Sequence, residues 1–541
     1  MKLSKAGLSD PKPWRDADYI LPVFDREKME AATRENPVWV HFGAGNIFRA
    51  FQANLAQRML DQGKMDRGLT VVEGFDYEIV EKQYREHDNL SVLVTLKADG
   101  GVEKTVICSI AESCILDSGN EAEFNRLKEI FANPSLQMVT FTITEKGYSL
   151  VDGKGSRLPT VAADFAAGPE KPASYIGKVA SLLYTRYRTG AAPIAMVSTD
   201  NCSHNGDKLS AAVNAFAEEW VKNGLAEQGF LTYIQDETRV SFPWSMIDKI
   251  TPRPDSSVEA ILREDGLEDL DPVVTPKNTY VAPFVNAEES EYLVIEDKFP
   301  NGRPALENVG VIFTDRDTVN NVERMKVCTC LNPLHTALAI YGCLLGFTKI
   351  SEEMKDLALL ALVEGIGYRE GLPVVVNPGV LNPREFIDTV VKTRIPNPFM
   401  PDTPQRIATD TSQKLSIRFG ETIKAYMESE KLSVSDLTLI PLVFAGWLRY
   451  LMAVDDAGNP FTLRADPMLP EVTPYVTGFT LGQPPAAQKA MEKLRPLLEN
   501  KTVFGVDLIK CGLAELVVNY FLEELSGPGA VRATLEKYTN C

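Results

Sequence analysis

Residues 38–52 read VWVHFGAGNIFRAFQ. A hydrophobic run of strand formers stops at Gly43, the chain turns, and Phe48, Phe51, Leu55 and Met59 then recur at three- and four-residue spacing. That succession is a strand, a glycine turn and an amphipathic helix. Backbone amides at such a turn can approach a pyrophosphate, and the helix N terminus favours its charge. Gly43 and Gly45 supply G-x-G, while Phe48 stands where the three-glycine fingerprint has its third glycine. LTVVEGFD (69–76) is a second strand ending beside two acids. Asp76 is the first candidate to bond the ribose hydroxyls and Glu73 the second; an acid there repels a 2′-phosphate and favours NAD over NADP. Asn46 and Arg49 complete the candidate cofactor set. Glycines at a βα turn also occur for φ alone, and Arg49 reads equally as a surface helix residue.

Outward from this unit, MVTFTIT (138–144) and PIAMVST (193–199) are further short apolar strands, each approached through a helix. NLSVLVTLKADGGVEKTVICSI (89–110) alternates about a D-G-G turn and reads as an inserted antiparallel hairpin. Strands interleaved with helices predict a mostly parallel α/β sheet, a Rossmann-type domain. From about residue 315 helical windows dominate, among them HTALAIYGCLLG (335–346), QKLSIRFGETIKAYMES (413–429) and LTLIPLVFAGWLRYLMAV (437–454). The expected division is residues 1–314, α/β, and 315–541, all-helical, with a cofactor and substrate facing each other at a cleft between them.

The 541 residues exceed one ordinary core, and 44% hydrophobic with 24% charged residues is the balance of a soluble globular protein. A net charge of −18 argues against nucleic-acid and anionic-membrane partners, both of which need basic surface. Eight scattered cysteines without a CxxC pair make no disulfide framework. The N terminus carries no apolar signal region, and 437–454 is interrupted by Pro441 and Arg449, so a cytoplasmic protein is expected.

GAGNIFRA (43–50) resembles the G-x-G-x-x-x-R-A signature of the polyol-specific long-chain dehydrogenases, the mannitol dehydrogenase family. TEKGY (144–148), STDNCSHNG (198–206), FPWSMIDKITPRPD (242–255), FPNGRPALENVGVIFTD (299–315), RMKVCTCLNPLH (324–335) and QRIATDTSQK (405–414) succeed it in family order. The resemblance implies a Rossmann-type domain, a helical C-terminal domain, and hydride transfer with NAD and no metal. Oxidising a secondary alcohol requires a base at the hydroxyl, and a lysine serves where burial disfavours its charge. Lys326 matches the family's catalytic lysine. Asn201 and Asn332 match the amides that hold the developing alkoxide. His335 matches the substrate-orienting histidine and Asp248 an acid near the lysine. Arg406 and Lys414 match a pair contacting distal substrate oxygens; eight residues apart, about 80° on a helix, they can share a face.

The family pattern K-x4-N-x2-H is broken here, because five residues separate Lys326 from Asn332. On an unbroken helix one extra residue rotates every later side chain by about 100°. Two rescues present themselves: Asn332 caps a helix starting at Pro333, or a bulge absorbs the residue. The expected reaction interconverts a sugar acid or polyol with its keto form, leaning to fructuronate and mannonate, with mannitol and tagaturonate chemistry as alternatives. Cys202, His204, Cys328, Cys330 and His335 keep a zinc reading open, and with it a metal-dependent hexuronate epimerase on the same fold. A nucleotide-binding regulator is the third class. Oligomeric state is not written in the sequence.

Overall fold

The computed structural model describes residues 1–254 and 256–539. Asp255, the last residue of the 242–255 motif, and Cys541 lie outside the described residues. The chain forms two compact units, residues 1–97 with 101–320, and 98–100 with 321–541.

The first unit is built on six parallel strands: β1 (Trp39–Phe42), β2 (Leu69–Glu73), β3 (Ile110–Ile115), β4 (Met138–Phe141), β5 (Ile194–Ser198) and β6 (Val240–Ser241). They lie in the order β3-β2-β1-β4-β5-β6, the doubly wound arrangement. Every residue of β1 is buried, as expected of a parallel strand covered on both faces. Its side chains alternate between two cores. Val40 and Phe42 join Val139, Met196 and the helices Glu121–Ala132, Tyr175–Arg188 and Asn205–Lys222, whereas Trp39 joins Val71, Met138 and the helix carrying Phe48, Phe51, Leu55 and Met59. His41, between them, is a satisfied core histidine. Its ring nitrogens meet Thr140 Oγ1 at 2.7 Å and Thr142 Oγ1 at 2.8 Å, and burial pushes its pKa down to about 3.

The D-G-G hairpin is present as antiparallel strands Ser91–Leu96 and Val102–Ile107. It enters the chain between β2 and β3 and pairs on its edges with Tyr19–Ile20 and Phe284–Glu288 rather than with the main sheet. The strand order reverses between β1 and β4, so the carboxyl ends of these two strands, Phe42 and Phe141, mark the place where open α/β sheets bind ligands.

Among the described residues the second unit contains helices and isolated bridges but no extended strand. Helix Leu439–Tyr450, inside the most apolar window, is buried at all positions and sits in this unit's core. The hydroxyl of Tyr341, on helix Asn332–Leu345, lies 2.8 Å from Leu442 O and 2.7 Å from Glu524 Oε1, sharing its one proton between them. Two carboxyl groups are sealed into this core. Glu353 is fully buried with neither oxygen hydrogen-bonded, and Glu524 is fully buried with Tyr341 as its donor. Burial raises Glu353 to about 9 and Glu524 to about 8. The unfolded chain releases these protons in the ordinary carboxylate range, so the stability they contribute is full below that range and falls progressively as pH rises from it until the folded groups ionise at about 8 and 9. Glu353→Gln is expected to melt about 5 °C above the parent at pH 8 and level with it at pH 5, read by calorimetry.

Candidate functional site

In the first unit the glycine turn lies at the reversal of strand order. Gly43 has φ +108°, and a Cβ there would stand 2.2 Å from Thr142 O, at the end of β4. Gly45 is different: a Cβ would meet nothing within 4 Å. The first glycine is required by the fold, and the second leaves an open approach to the backbone. The helix then begins at Asn46 and widens into one π turn, Phe48–Gln52. A cavity of about 650 Å³ opens over this turn, walled by Gly43, Gly45, Glu73, Thr144 and Tyr175.

Three expectations for this site need correction. Arg49 is buried and turned into the protein: Nη1 donates to Ala282 O at 2.8 Å and Ser91 Oγ at 3.1 Å, and Nη2 to Asn46 Oδ1 at 2.8 Å. Arg49 therefore anchors the turn helix to the inserted sheet, and Asn46 serves as its acceptor. Neither side chain forms the cavity wall. Asp76 is also buried, accepting from Thr275 Oγ1 at 2.6 Å, so Glu73 is the acid that faces the cavity. Glu73 Oε2 accepts Ala44 N–H at 2.9 Å, and Oε1 accepts Phe75 N–H at 2.7 Å and Asp76 N–H at 3.1 Å. The last residue of β2 thus holds the glycine turn in place.

The TEKGY and STDN segments are joined by a residue that their motifs do not single out. Asp200 accepts Ile143 N–H and Thr144 N–H, each at 2.9 Å, and Tyr148 Oη–H at 2.5 Å. Burial raises the Asp200 carboxyl, and these three donors oppose that shift. They hold Thr144 at φ +65°, a region β-branched residues rarely occupy, in the cavity wall. Asn205 ties the same loop to the next strand, donating to Asp200 O and Ser245 O at 3.0 Å. Asn201 is exposed on this loop, and Asp248 is buried at the end of strand Ser245–Asp248. Lys249, the next residue along, pairs with Glu291 at 3.0 Å.

In the second unit the extra residue between Lys326 and Asn332 is absorbed by a π turn, Lys326–Cys330, with Leu331 N–H bonded to Lys326 O at 3.1 Å. The bulge, not a cap, is the rescue. Helix Asn332–Leu345 continues from Leu331 with Pro333 in its first turn. Lys326 is 3% exposed, whereas Asn332 and His335 are partly open on one side of that first turn.

Arg406 and Lys414 do not share one helix. They lie on short helices Pro404–Ile407 and Thr411–Leu415, with Asp410 at φ +55° breaking the chain between them. Arg406 is exposed and paired with Asp402. Lys414 folds back to donate to Ile407 O and Thr409 O, which brings the two segments together. Burial, then the charge of Arg418, lowers the Lys414 ammonium pKa. Two of the three thiols of the zinc reading are pushed up by burial, Cys328 to about 11 and Cys330 to about 12. Among the described residues no three His, Cys, Asp or Glu side chains gather into a metal-holding group.

Residues 38–308 match the mannitol dehydrogenase Rossmann domain and residues 318–524 the mannitol dehydrogenase C-terminal domain. A D-mannonate oxidoreductase of Thermotoga maritima is 50% identical over 539 residues, 99% of each chain. A mannitol 2-dehydrogenase of Phaeosphaeria nodorum is 29% identical over 554 residues, 99% of this chain and 86% of its own. Among solved structures, the Pseudomonas fluorescens mannitol 2-dehydrogenase ternary complex with NAD and D-mannitol superposes with a TM-score of 0.66 at 26% identity over 99% of both chains. With both domains matched in order along most of its length, the chain belongs to the mannitol dehydrogenase family.

Proposed function

We propose that the chain is a cytoplasmic NAD-dependent oxidoreductase that interconverts D-mannonate and fructuronate. The observation that carries the substrate is the 50% identity, across 99% of both chains, with a D-mannonate oxidoreductase. The first unit's residues fit the cofactor. Gly45 leaves room for a pyrophosphate at a helix N terminus, and Glu73 places a carboxylate at the end of β2 for the ribose hydroxyls. When bound, the nicotinamide accepts or returns the hydride.

The chain's own residues do the rest. Lys326 takes the proton of the C5 hydroxyl as mannonate is oxidised and returns it in reduction. Asn332 donates to the developing alkoxide, His335 orients the hydroxyl, and Lys414 and Arg406 hold the distal oxygens. By their motifs Asn201 is assigned the same alkoxide as Asn332, and Asp248 the support of the lysine. None of these roles requires a metal.

The test is the loss of NADH absorbance with metal-stripped protein and a panel of fructuronate, tagaturonate and fructose. Fructuronate is expected to give the highest kcat/KM, and NADPH to be used more poorly than NADH because Glu73 repels a 2′-phosphate. A preference for fructose or tagaturonate overturns the substrate. Turnover that depends on added zinc overturns the lysine mechanism.

A further inference from the structure

Lys414 is succeeded one turn later by a second cation that the family motif does not include. Residues 411–428 run as one helix, with a π turn at Ser416–Gly420 that carries Arg418. That turn packs against the π turn of Lys326, and Thr422 Oγ1 donates to Cys328 O at 3.5 Å. Arg418 is partly buried, and its Nη1 donates to Thr336 Oγ1 at 2.5 Å. Thr336 is next to His335 in the chain, and its own hydroxyl donates to Asn332 O at 2.8 Å. The guanidinium is thereby fixed beside the first turn that presents Asn332 and His335.

The charges of Arg418 and Arg406 both act on the Lys414 ammonium, and the three cations differ in what they have left to give. Arg406 is already paired with Asp402, and Lys414 spends donors on two carbonyls. Arg418 has a neutral hydroxyl for a partner and no carboxylate among the described residues; burial alone pulls its pKa down to about 10. A partly desolvated guanidinium without a counter-charge is costly unless an anion completes it. Its planar fork matches a carboxylate through two parallel hydrogen bonds, which a lysine cannot offer.

We propose that Arg418 reads the substrate's carboxylate: the guanidinium edge not used on Thr336 takes the terminal carboxylate of a sugar acid, with Lys414 beside it, and so ranks sugar acids above neutral keto sugars and polyols. This rests on the sugar-acid reading of the enzyme and adds the residue that enforces it.

The experiment compares kcat/KM for fructuronate and fructose, with NADH, in wild type, Arg418→Met, Arg418→Lys and Thr336→Val. The fructuronate-to-fructose ratio is expected to fall about 100-fold in Arg418→Met, carried by KM for fructuronate. Arg418→Lys is expected to recover about tenfold of that loss by restoring charge without the fork. Thr336→Val is expected to shift the ratio in the same direction by a smaller step. Equal losses for both substrates, or an unchanged ratio, overturn the assignment, the first by showing that Arg418 acts only as a structural support. A wild-type enzyme that prefers fructose refutes the sugar-acid reading and Arg418 with it, whereas a fructuronate-preferring wild type with an unmoved ratio refutes Arg418 alone.

Discussion

Lys326→Met is expected to lower kcat for fructuronate reduction and mannonate oxidation by about 10³-fold, within the range a positioned acid–base group supplies. Methionine keeps much of the lysine's length, so the 3%-exposed site is filled without a cavity while the proton carrier is lost. NADH binding, monitored by fluorescence, is expected to stay within a few-fold of wild type, because the glycine turn lies in the other unit. Lys326→Ala offers an independent check: methylamine added to it is expected to return part of the rate, since a small amine can occupy the vacated volume and take the proton. A loss under about tenfold in either variant assigns the proton transfer elsewhere and leaves Lys326 a packing residue.

The local setting sharpens that expectation. In the spacing K-x4-N, lysine and asparagine keep a fixed angular relation on a helix, which one inserted residue would destroy by about 100°. The Lys326–Cys330 π turn confines the insertion to a single widened turn and lets the next helix resume from Asn332. A π turn also lies directly after the glycine turn, at Phe48–Gln52, and another carries Arg418. Three of the six π turns among the described residues thus carry residues discussed for the site, whereas Val80–Arg85, Gly365–Gly371 and Val390–Arg394 do not.

How much can be read in the sequence depends on the range of the interaction. The glycine turn, the D-G-G hairpin and the buried helix Leu439–Tyr450 are set by neighbours in sequence, and local patterning exposes them. β3 merges with the hairpin in the sequence pattern, because Ile110–Ile115 begins only two residues after it and lacks a turn signal of its own. The choice between Asp76 and Glu73 cannot be reached from spacing. Thr275, almost two hundred residues away, claims Asp76 and leaves Glu73 for the cavity. The inward turn of Arg49 is hidden for the same reason, since Ala282 and Ser91 come from distant segments. The shared helical face of Arg406 and Lys414 fails locally: T-D-T contains an aspartate able to adopt the left-handed conformation, and Asp410 does so. Arg418 is legible in principle as a cation one turn beyond Lys414, but nothing in the sequence shows that no carboxylate among the described residues pairs with it.

Gly43→Ala and Gly45→Ala are expected to fail in different ways, and the contrast tests whether the turn holds a pyrophosphate. At Gly43 the new methyl would press on Thr142 O at 2.2 Å, in a backbone conformation with φ +108° that alanine disfavours. The carbonyl is backbone, of the residue that follows β4, and cannot swing aside as a flexible side chain would. A loss of about 4 kcal/mol is expected, seen as a lower melting temperature or as insoluble protein. At Gly45 the methyl meets no protein atom within 4 Å and the backbone needs no positive φ, so stability is expected to change by less than about 0.5 kcal/mol. The same methyl would stand where a pyrophosphate has to approach the helix N terminus, and KM for NADH is expected to rise about 30-fold, with a smaller change in kcat. If Gly45→Ala binds NADH as wild type does while Gly43→Ala unfolds, both glycines serve the turn alone, and the cofactor must be sought elsewhere along the cavity. If Gly45→Ala keeps its melting temperature and loses its affinity, the open space over that residue is the phosphate site.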